Sequence, residues 1–100
     1  MKMINIFCNV STLAEVLEIV KACQIDNYQI VEKVTGKTSP AQPHLDTEVW
    51  PGYNSMLILQ SESKLANQLV DKLREFNKNA LNKEELVTFC SWELQTYFNK

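Results

Sequence analysis

Glycine is nearly absent from this chain, which holds only Gly36 and Gly52 in its 100 residues. Phosphate-cradling turns need backbone N–H groups that approach a ligand closely, and glycine permits that approach. No Walker loop is spelled here, nor is a nucleophile elbow or an HExxH helix. Histidine occurs once, at His44, and no recognisable proton-transfer pair accompanies it. The three cysteines, Cys8, Cys23 and Cys90, are widely spaced with no CxxC among them, which argues against a cysteine-built zinc site. Each stands among apolar neighbours, so the expectation is three reduced, buried thiols. Together these absences predict a protein that is not an enzyme.

Charge excess is missing too. A formal net charge of −2 gives no reason to expect nucleic acid or an anionic membrane surface. The longest apolar run is MLIL at 56–59, far too short to span a bilayer, and no leader pattern opens the chain. A cytoplasmic protein without membrane insertion is expected. What is present, 45% apolar and 22% charged residues, suits a single folded domain over 1–100.

The periodicities are orderly. Ile4, Ile6, Cys8 and Val10 alternate with Asn5 and Asn9, a strand by period two. Thr12 and Glu15 then have capping-box spacing, and Leu13, Val16, Leu17, Val20 and Cys23 mark one helical face ending near Asp26-Asn27. Tyr28–Thr35 reads as an edge strand, its adjacent Glu32 and Lys33 discouraging unwanted pairing. Met56–Leu59 is apolar on both faces, as in a central strand. Ser61 or Ser63 can cap a second helix that buries Leu65, Ala66, Leu69, Val70, Leu73 and Phe76.

A final segment, Glu85–Phe98, has strand character but is long for one. Its second half (Trp92, Leu94, Tyr97, Phe98) is expected to reach another subunit, which would cover its edge and its aromatics. The order βαββαβ predicts a ferredoxin-like α+β fold: a four-stranded antiparallel sheet, first and third strands central, with two helices on one face.

One stretch interrupts this regularity. Residues 35–55, TGKTSPAQPHLDTEVWPGYNS, contain both glycines, all three prolines, His44 and Trp50. Connections this long in small domains tend to be functional loops or disordered segments. His44, Asp46 and Glu48, at two-residue spacing, would project to one side of an extended segment and could offer a divalent metal one imidazole and two carboxylates. An ordinary polar loop is the competing reading. Trp50-Pro51-Gly52-Tyr53-Asn54 has type II turn chemistry; its aromatics could instead close over a ligand or meet a partner. Lys37 could neutralise a small anion, or simply be solvated.

Three segments carry a resemblance: VEKVTGK at 31–37, EVWPGYNSMLILQ at 48–60 and FCSWELQTYF at 89–98. With the long loop between strands two and three, the chain resembles the PII-like signalling proteins and their relatives, the CutA-type trimers. The resemblance implies a homotrimer that binds a nucleotide or another small effector in clefts between subunits. It also implies a T-loop that docks onto a membrane transporter or an enzyme, with Gly36 and Lys37 at the loop's base and Thr38–Tyr53 as its body. The chain departs from nucleotide-binding members after the second helix, where NKNALNKEE lacks the glycine-rich phosphate turn, and at the end, where only Lys100 is basic. Two other readings stay open, a CutA-like metal-binding trimer and a small dimeric ferredoxin-like enzyme.

Overall fold

The computed structural model describes residues 1–100. Strand β1 (Lys2–Asn9) buries Ile4, Ile6 and Cys8 on one side, as the alternation predicts. It stops one residue early, because Asn9 accepts from the Ser11 N–H at 3.0 Å and starts a 3₁₀ turn over Val10–Thr12. That turn replaces the expected capping box: Thr12 Oγ1 donates to the Asn9 carbonyl (3.0 Å) and caps no helix N–H. Helix α1 (Leu13–Ala22) buries Val16 and Val20, and ends where Gln24 turns left-handed at φ 63°.

Strand β2 (Tyr28–Val34) lies at the sheet edge and β3 (Asn54–Ser61) in its interior. Helix α2 (Ser63–Lys78) buries Ala66, Leu69 and Leu73. Neither serine caps it; Glu62 occupies that position, and Ser61 Oγ donates to the Glu62 carbonyl instead. A 3₁₀ turn over Lys83–Glu85 leads into β4 (Thr88–Glu93).

The sheet order β2-β3-β1-β4, antiparallel throughout, places the two most apolar strands in the centre. Thirteen buried residues form one core, ten from β1, β3 and the two helices and three (Cys23, Ile25 and Val87) from the connections beside them. The register fixes what the opposite face shows. Met3, Asn5 and Phe7 lie beside Gln60, Ile58 and Met56 of β3 and beside Trp92, Cys90 and Thr88 of β4. With Gln29 and Val31 of β2, this uncovered face contains no Lys, Arg, Asp or Glu. Cys90 is therefore exposed, contrary to expectation, whereas Cys8 and Cys23 are buried.

The final segment also differs from its expectation. β4 is six residues long, because Glu93 pairs with Lys2, at the start of β1, and has no further ladder to extend along. Beyond it the chain turns back over its own sheet. The Leu94 N–H donates to the Met1 carbonyl (3.0 Å), and the Asn27 amide donates to the Tyr97 hydroxyl at 2.6 Å. Leu94 and Tyr97 line one surface pocket with Met3 and Gln60 in the same molecule, while Phe98 stays 79% exposed.

Candidate functional site

The 35–55 connection is folded onto the domain by its own bonds. Gly36 and His44 form a two-way bridge, N–H to carbonyl at 2.9 and 2.7 Å, which closes residues 36–44 into a compact lobe. A second lobe closes where the Asp46 N–H donates to the Gly52 carbonyl (2.8 Å) and the Thr47 N–H to the Trp50 carbonyl (3.0 Å). Gly52, at φ 81°, takes the left-handed conformation that the Pro51-Gly52 pair predicts and a Cβ would strain.

His44 anchors the first lobe. The residue is 8% exposed, with Nδ1 2.7 Å from Asn54 Oδ1 and Nε2 3.3 Å from Glu84 Oε1. The Glu84 carboxylate is an acceptor, so Nε2 is the ring's donor to it, while the Asn54 amide, which carries both a donor and an acceptor, serves Nδ1 in either tautomer. The same Glu84 oxygen accepts the Gln42 N–H at 2.9 Å. Asn82 holds that carboxylate's backbone in place by accepting the Glu84 N–H (2.9 Å).

Behind this junction lies a cleft of about 120 Å³, bordered by Asn9, Thr38, Ser39, His44, Lys83 and Asn77. Asn77 secures its far wall by a reciprocal pair with Val87, donating to the carbonyl (2.9 Å) and accepting the N–H (2.8 Å).

The expected metal set is not assembled. His44 points inward to Asn54 and Glu84, Asp46 is bonded to Lys33 of β2, and Glu48 is exposed. No three His, Cys, Asp or Glu side chains come together anywhere. The reason is backbone shape: Asp46 is left-handed (φ 58°), so the alternation of an extended segment fails between His44 and Glu48.

Lys33 is held above the ordinary lysine range by its hydrogen bond to Asp46 and that carboxylate's charge, and lies 5.4 Å from the centre of the Tyr53 ring. Tyr53 also accepts the Val10 N–H on its carbonyl (3.1 Å). Trp50 is 38% exposed and Lys37 fully on the surface. Of the residues singled out for ligand contact, then, Asn54 joins the His44 junction and Gly36 closes its lobe. Lys37, Trp50 and Tyr53 lie outside the cleft.

The sequence reading misses Glu84, Asn77 and Lys33. Glu84 is 40 residues from His44, and no local pattern in NKNALNKEE marks its role. For Lys33 a charge signal is present, but edge-strand protection accounts for it equally well.

No protein-family model and no curated protein matches this sequence. Solved structures do match the fold. CPII, a nitrogen regulatory PII-like protein from Thiomonas intermedia K12 bound to ADP, AMP and bicarbonate, superimposes with a TM-score of 0.70 at 14% identity, over 95% of this chain and 88% of that one. The apo form of CPII gives 0.65 at 14% identity, over 93% and 89%. A proposed PII-like signalling protein from Thermus thermophilus gives 0.62 at 15% identity, over 91% and 83%. The chain shares the ferredoxin-like α+β fold of these PII-like proteins along nearly its whole length.

Proposed function

We propose, from this shared fold, that the chain is a PII-like small-ligand sensor. It acts as a homotrimer, binds an effector where the loop base meets a neighbouring subunit, and signals to a protein target through residues 36–53. The observation that carries the reading is the match of the whole chain to a PII-like protein bound to ADP, AMP and bicarbonate. The chain's own geometry adds to it: a loop that closes as two discrete lobes, hung on a few polar bonds, is an element a ligand can bias.

The effector's class follows from the cleft. A cleft of about 120 Å³ suits a small anion of a few heavy atoms, and a nucleotide would draw on further walls from another subunit. Lys83, at the cleft, supplies positive charge, and Lys37 at the loop base adds to it where subunits meet. Trp50 and Tyr53, on the outer lobe, are the proposed contacts for a transporter or enzyme target. No catalytic role is proposed for any residue. No helix is long and apolar enough to cross a membrane, and cytoplasmic action is part of the proposal. The metal-sensing alternative has no assembled ligand set to rest on.

A thermal-shift series with bicarbonate, acetate, AMP and ADP tests the reading. A ligand at a hundred times its Kd stabilises by about 2.7 kcal/mol, which raises the midpoint of a domain this size by several degrees. A rise with bicarbonate or an adenine nucleotide is expected. Flat midpoints for all four at millimolar concentration would remove the sensor reading.

A further inference from the structure

We infer that Glu84 is a built-in anion: its carboxylate occupies a carboxylate-binding site on the loop and keeps the inner lobe docked. Glu84 Oε1 accepts from two groups of the loop, the Gln42 N–H at 2.9 Å and His44 Nε2 at 3.3 Å. The carboxylate comes from a separate element, the Lys83–Glu85 turn, and is the only side chain outside the loop and β3 to bond the inner lobe. Lys83, the neighbouring residue of the same turn, also borders the cleft. A backbone N–H and an imidazole converging on one oxygen make a recognition site for a small carboxylate or bicarbonate. Here the protein fills that site itself.

The other groups around it fit this role. Asn54 fixes the ring through Nδ1, so Nε2 faces outward to Glu84. Asn82 sets the turn that delivers the carboxylate. Glu85 is turned away, accepting from Leu81 and Asn82, and does not compete for the loop. Cys8, which also borders the cleft, keeps its proton, because burial pushes its thiol up to about 11. An anion that undocks the inner lobe must therefore displace the Glu84 carboxylate from Gln42 and His44.

The inference takes its biological sense from the sensor reading, but its test needs no effector, partner or trimer, so either can fail alone. The Glu84 carboxylate is partly solvent-exposed, and its removal leaves the core intact. In the full chain carrying Glu84→Ala, hydrogen exchange of amides 38–44 is expected to quicken about tenfold or more, while α2 amides stay unchanged. Adding sodium acetate or formate should return the loop rates towards those of the parent protein; sodium chloride and acetamide should not. Glu84→Gln, whose amide still fills the space, should loosen the loop and resist rescue by acetate. Unchanged loop exchange in Glu84→Ala, or rescue by chloride as effective as by acetate, overturns the inference.

Discussion

Cys8 and Cys90 share an element type and a residue type but face opposite sides of one sheet. Burial holds the Cys8 thiol at about 11, a hydrogen bond with Thr12 pulling weakly the other way. An ordinary thiol sits near 9.0, so below that pH both the folded and unfolded chain keep the proton and stability is full. As pH rises from 9.0 towards 11, only the unfolded chain ionises at this position, and folding loses up to about 1.4 kcal/mol per unit. Urea melts at stepped alkaline pH should show that decline, and Cys8→Ser should abolish most of it. Cys23 is also pushed up, chiefly by burial. With a thiol reagent at neutral pH, Cys8 and Cys23 are expected to react only on unfolding, whereas Cys90, on the sheet face away from the helices, reacts quickly wherever no other copy covers that face. Two fast thiols would mean that the core opens more readily than its packing implies.

A side-chain amide ties two elements where the sheet ends. Asn77, at the end of α2, replaces the missing strand neighbour of Val87 by bonding both its N–H and its carbonyl. Val87 is 6% exposed, so truncating Asn77 leaves two backbone groups with little access to water. Asn77→Ala is expected to cost roughly 2–4 kcal/mol in a denaturant melt, at about 1–3 kcal/mol per orphaned group less partial relaxation. A loss below about 0.5 kcal/mol would show that water restores the pair. The Lys33–Asp46 contact is different in kind. Both side chains are about half exposed, so the pair positions the outer lobe without adding much stability.

At the scale of the molecule, the sheet has one face under helices and one without. The bare face lacks fixed charge and shows Val31 (39% exposed) and Trp92 (46%) to solvent. An uncharged apolar face of this kind matches another copy of itself better than a charged partner, which is the physical basis for the proposed trimer. Light scattering should return three times the chain mass. Val31→Glu with Trp92→Glu should reduce it to one, since buried carboxylates facing one another cannot be paired. A parent protein that already scatters as a monomer would refute the trimer but leave the fold and the Glu84 contact standing. The C-terminal tail borders that face, since Leu94 and Tyr97 line one surface pocket with Met3 and Gln60 within one chain.

Alternation and helical spacing alone determined the element order, the central pair of strands and most of the core, because each depends on which residues in a short window share a face. The same local information placed the long connection and its Pro-Gly turn. It could not reveal where β4 stops, since that depends on where β1 begins, or that Asn9 displaces Thr12 as the local cap. It could not separate His44 from Asp46 and Glu48, because a left-handed residue between them breaks the pattern from which their grouping was inferred. Only the tertiary structure brought Glu84 to His44 and Gln42, across about 40 residues of chain. Hydrophobic pattern repeats along the sequence and can be read there; a single polar contact between distant turns leaves no periodic trace, and exists only once the core has folded.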